Sequence, residues 1–184
     1  VYGARALAAA VAAGLGGASV DDSVAAALAQ LPADTEIRRN AEHAVALARV
    51  AVADRPGQPG NAFALVPSLE HEIVDHIYSY GIAAAETVPV ALAVTVAGAG
   101  RIAEAVPAAA CLSRVADSAP ALAGALTGAL GGVGELPDSW RTACRVLSGC
   151  ALPRLAGTDL VELAAQLSRT DLPLPTHTTP EGIR

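Results

Sequence analysis

Glycines at 124, 128 and 132 recur every fourth residue within the run Ala121 to Gly132. A helix carries residues four apart on one face, so the spacing predicts a helix with a stripe bare of side chains. A neighbouring helix can approach such a stripe to backbone contact, which puts this segment in the middle of a helical bundle. Asp117 and Ser118 stand where a loop enters that helix, and Pro120 falls in its first turn, an ordinary helix start. A carboxylate and a hydroxyl side by side are also hard oxygen ligands, suited to Mg²⁺ or Mn²⁺.

The rest of the chain supports helices throughout. Hydrophobic residues make up 53%, with only five aromatics, and about a quarter of the chain is alanine, the best helix former and a poor strand former. No run alternates apolar and polar long enough to read as a strand, so the fold class is all-α, a compact multi-helix bundle. Helices are expected over residues 1–15, where the apolar character all round implies burial, then from the Ser19 cap to Leu31. A third runs from an Asp34 or Thr35 cap to Asp54, with Arg38, Arg39 and Glu42 on its solvated face. After the turn-rich residues 55–61, Pro67 and Ser68 open a short polar helix through His76. Further helices span Glu86 to Val96, Arg101 to Leu112, Trp140 to Leu147 and Asp159 to Leu167. Residues 1–170 form one domain in this reading, and 171–184 a flexible tail.

A net charge of -6 leaves no basic face for nucleic acid. Mean hydropathy is +0.43, but the apolar runs Val88 to Gly100 and Ala119 to Gly134 fall short of the roughly 18–20 residues a membrane span needs. Cys111, Cys144 and Cys150 are an odd number without metal spacing, expected as small buried hydrophobes in a reducing, cytoplasmic compartment. No charged-then-apolar leader precedes them. The chain contains no methionine, so Val1 is not read as a translational start, and further sequence upstream is expected.

Several chemistries fail on spacing. His71 and His76 are five apart, whereas two zinc ligands on one helix face must be four apart, and Asp75 occupies that place. No serine sits in a nucleophile elbow, and no glycine loop follows a strand to cradle a nucleotide. Asp117 and Ser118 remain.

Ala116-Asp117-Ser118, the glycine helix after it and Leu136-Pro-Asp-Ser-Trp140 together resemble the C-terminal half of the ADP-ribosylglycohydrolases. The segment Tyr80-Gly-Ile-Ala-Ala-Ala-Glu-Thr-Val-Pro-Val-Ala-Leu92 is similar to the family's segment one helix pair upstream, and Arg5 to Leu31 to its mid-chain helix pair. The resemblance implies an all-α fold and hydrolysis of the glycosidic bond of ADP-ribosylated proteins or ADP-ribose-like small molecules. It also implies a binuclear Mg²⁺ or Mn²⁺ centre. Within the family's Gly-Gly-Asp-Thr-Asp-Thr ligand run, the second aspartate falls on Asp117 and the last threonine on Ser118, making these the metal ligands. The first aspartate falls on Val115, which cannot ligate, and the glycines on Ser113 and Arg114. Tyr80, Gly81 and Ile82 are implied to line the ribose–adenine side of the cleft, and Arg114 is a candidate for the diphosphate. The remaining ligands are expected from an N-terminal half of the same protein. The alternative is a non-catalytic member that binds a nucleotide-like ligand or a protein partner.

Overall fold

Helices account for the regular structure, as alanine and leucine at helical spacing dictate. The computed structural model describes residues 1–56, 58–74 and 83–169. Among these no strand occurs; Val146 and Asp159 form one isolated antiparallel bridge. No helix of the described residues is long and apolar enough to cross a membrane. The chain divides into two compact units, Val1–Pro137 and Asp138–Arg184.

The larger unit contains α1 (Tyr2–Leu15), α2 (Val20–Ala29), α3 (Glu36–Asp54), α4 (Asn61–Leu69), α5 (Ala84–Ala97), α6 (Ile102–Ala110) and α7 (Ala119–Gly131). A π-helical turn, Glu70–Val74, follows α4, and a 3₁₀ turn, Val133–Glu135, follows α7. The helix at the centre is α5, not the glycine helix that the spacing suggested. Every residue of α5 from Glu86 to Ala97 is buried, whereas α7 buries only Ala119, Ala123, Leu126 and Thr127. Glycine offers little apolar area, so the interior goes to the helix that carries valine and leucine all round. Of the three spaced glycines, Gly124 meets Val106 Cγ2 and Gly128 meets nothing, while Gly132 lies past the helix end at φ +67°.

Close approach is supplied instead by α1. A Cβ at Gly3 would lie 3.1 to 3.3 Å from Ala84, Val88 and Ile37, and one at Gly14 would lie 3.3 Å from Ala129 Cβ. The expectation that α1 is buried all round also fails. It buries Gly3, Ala6, Ala10 and Gly14 alone, because an alanine methyl gains little by leaving water and is tolerated on an outer face.

Three further expectations change. Pro67 does not open a helix; it stands in the last turns of α4, directly before the π-helical turn that buries both Ile73 and Val74 beside Leu69. Widening the turn by one residue brings those adjacent side chains to the core together. Arg38 is half-buried rather than solvated. It donates to the Leu28 and Leu31 carbonyls at the end of α2, where a cation is favoured by the helix dipole, and to Glu42. Cys111, Cys144 and Cys150 are all free and exposed rather than buried.

Other boundaries fall where side-chain chemistry places them. Ser19 Oγ accepts from the Asp22 amide at 3.1 Å to start α2, and Thr35 precedes α3. α5 ends at Gly98-Ala99-Gly100, where the Gly100 amide reaches back to Thr95 O at 2.9 Å and Ala99 takes φ +51°. That turn leads from α5 into α6, and residues 111–118 connect α6 to α7.

In the smaller unit, α8 (Asp138–Cys144) and α9 (Leu160–Ser168) flank a 3₁₀ turn, Pro153–Leu155. The helix expected to reach Leu147 stops at Cys144, because Arg145 and Leu147 spend their backbone groups on 157–160: Leu160 N donates to Arg145 O, and Leu147 N to Thr158 O. Asp159 caps α9 by accepting from the Val161 and Glu162 amides at 2.9 and 3.1 Å. The Arg145 guanidinium, 2.6 Å away, is the main cause holding the Asp159 carboxyl below its ordinary range, helped by those amides. A depressed carboxyl stabilises the fold above its unfolded value and loses that contribution as pH falls through the folded one. The α9 cap is therefore expected to weaken progressively below about pH 4. Amide exchange at Val161 and Glu162 should rise there in the wild-type chain and show no such pH step in Asp159→Asn.

Candidate functional site

The starts of α5 and α7 lie at the same end of the larger unit. Gly100, just past α5, approaches Leu130 near the end of α7, so the two helices finish together. They have 14 and 13 residues, about 20 Å each at 1.5 Å per residue, so they also begin together. α1 runs beside them in the same direction, Gly3 meeting Ala84 and Gly14 meeting Ala129. Ala83, which precedes α5, and Ser118, which precedes α7, are thereby brought to one end.

Asp117 and Ser118 are at that end. Leu112, Val115 and Ala119 are each 0% exposed and pin the loop to the core. The Val115 carbonyl accepts from both the Ser118 and Ala119 amides, at 3.0 and 2.8 Å. Between these anchors Asp117 is left exposed. Ser118 occupies the cap position of α7 without a side-chain cap bond; its hydroxyl donates to Asp117 Oδ1 at 2.9 Å. The pair is thus spent on itself and on solvent, not on closing its own helix. Arg114 is half-buried three residues earlier. Tyr80, Gly81 and Ile82 lie outside the described residues, as do Asp75, His76 and the tail 171–184.

One acidic residue was missed by sequence reasoning. Glu86, in the first turn of α5, is 0% exposed. Burying a carboxylate is costly unless other groups satisfy it, and a helix N-terminus is the favourable place for one. The available signal was its isolation: it is the one charged residue between 83 and 100.

The donor set tests the metal that the resemblance implies. One exposed carboxylate and one hydroxyl fit an edge of a hard-cation site. They do not fit a binuclear centre, since the side chain at 115 is an apolar one packed in the core. Among the described residues no three His, Cys, Asp or Glu groups gather to hold a metal ion. Two grooves among the described residues lie at the opposite end of the unit. One of about 370 Å³ is lined by Ser19, Gly100, Arg101 and Glu135 among others, and one of about 440 Å³ by Val20, Arg49 and Val96 among others. Neither includes Asp117.

Comparison with known proteins matches residues 1–172 to a family model described as ADP-ribosylglycohydrolase. No curated protein and no solved structure matches the chain.

Proposed function

This chain belongs to the ADP-ribosylglycohydrolase family, and on that footing we propose that it forms one wall of a hydrolase site for the glycosidic bond of ADP-ribosyl conjugates, on proteins or small molecules. The observation that carries the reading is the Asp117–Ser118 pair, its carboxylate exposed and its serine half-buried, at the end where α5 and α7 begin. In the reaction, water oxygen replaces the acceptor at the ribose anomeric carbon, the acceptor leaves with the proton, and ADP-ribose is released. A divalent cation such as Mg²⁺ or Mn²⁺, when bound, would orient ribose hydroxyls and make a bound water more acidic. Asp117 would supply one anionic ligand, and Ser118, by donating to Oδ1, fixes which carboxylate oxygen faces outward. Further acidic ligands would be needed beside these two, and Arg114 would meet the diphosphate.

A second reading is supported by Val115: the family carboxylate that falls on this position is replaced by a core side chain, which suits a member that binds the ligand without turning it over. Thermal shift with Mg²⁺ and ADP-ribose, followed by turnover of an ADP-ribosylated protein, separates the two. Hydrolysis that falls about a hundredfold in Asp117→Asn supports the first. Stabilisation by ADP-ribose without turnover supports the second, and neither response in the wild-type chain sinks both.

A further inference from the structure

Two side chains of α3, one turn apart, hold a defect on each side of the connection from α4 to α5. The first defect comes from Pro89. An α-helical carbonyl accepts from the amide four residues on, and proline has none, so Pro89 leaves the Ala85 carbonyl without its helical donor. Asn40 Nδ2 fills the vacancy, donating to Ala85 O at 2.9 Å. The second is the π-helical turn Glu70–Val74, a geometry less favourable than the α-helix and frequent near functional sites. His43 Nε2 donates to Glu72 Oε2 within it, at 2.8 Å. Positions three apart share a helix face. One polar edge of α3 therefore secures both the last turn before residue 75 and the first turn of α5.

We propose that Asn40 and His43 are a positioning pair for the site at this end of the unit. They set the separation between the π-helical turn and the start of α5, and with it the placement of Glu86 one residue beyond Ala85. Neither residue touches the ligand in this account; each acts through the backbone or side chain it holds. The pair is distinct from the packing that stabilises α3, which is made by Ile37, Ala41, Ala44, Val45 and Ala48. The part concerning ligand affinity rests on the function proposed above.

The test uses the full chain as wild type, Asn40→Ala, His43→Ala and His43→Gln, the last keeping a donor. Amide exchange is measured at 70–74 and 86–88, together with the unfolding midpoint and ADP-ribose affinity with Mg²⁺ present. His43→Ala should speed exchange at 70–74 about tenfold, and Asn40→Ala should do so at 86–88, with exchange in the middle of α5 unchanged. Both should weaken ADP-ribose binding at least about threefold at an unchanged midpoint, and His43→Gln should recover most of that loss. Exchange within about twofold of wild type in both alanine variants overturns the pair. Faster exchange with unaltered affinity overturns its positioning role. If the wild-type chain binds no ADP-ribose, the proposed function fails instead, and the exchange rates alone decide whether the clamp exists.

Discussion

Val115→Asp is expected to destabilise the larger unit by about 3–5 kcal/mol, enough to lower its melting midpoint by about 10 °C. The substitution restores the residue type that the family's ligand run carries there, so it looks at first like a repair. The surroundings argue otherwise. Val115 is 0% exposed and part of the same cluster as Leu112, Ala119 and Ala123, and a carboxylate there would lose its hydration with apolar neighbours on the described elements. Chemical denaturation of the variant, with and without Mg²⁺, checks this. A variant as stable as wild type that gains stability from Mg²⁺ would show that position 115 can face a metal, and would reinstate the binuclear centre.

The second large effect is expected at the heart of α5. Leu92→Ala should cost about 3 kcal/mol, the range for truncating a fully buried leucine whose surroundings relax only in part. Leu92 is 0% exposed and among the largest fully buried side chains, on a helix buried on every side from Glu86 to Ala97. The matching change on the outer surface, Leu15→Ala, removes a side chain that is 74% exposed and should cost within about 0.5 kcal/mol. Equal losses at the two positions, read by urea denaturation, would mean that α5 is not the centre.

Much of this architecture could be read from residue types. Alanine content and the lack of alternation specify helices, and Ser19, the Asp34–Thr35 pair and Asp159 mark three starts within about a residue. What resists reading is which helix takes the middle. The four-residue glycine spacing describes what a helix permits, whereas burial is decided by how much apolar area competes for the interior, and α5 outbids α7 with valines. The same logic hides α1, whose alanines are equally at home inside and out. At the candidate site, Asp117 and Ser118 stand out because oxygen ligands are recognisable by type. Glu86 does not, since a glutamate at a helix start looks like a dipole partner until its burial is known. Asn40 is invisible without the fold, because its partner is a carbonyl 45 residues away.

The composition of α5 has a consequence for how the chain must be made. Six of its 14 residues, Thr87, Val88, Val90, Val94, Thr95 and Val96, are β-branched, a set that on its own favours extended conformations over helix. The helix therefore owes its shape to the walls around it, and two of those walls, α6 and α7, are synthesised after it. On a ribosome the segment emerges as a bare, valine-rich ribbon whose single charge, Glu86, sits near its start, with a tendency to pair with its like, and Pro89, which no cross-strand ladder tolerates at its centre, is the residue that interrupts that pairing until the bundle closes.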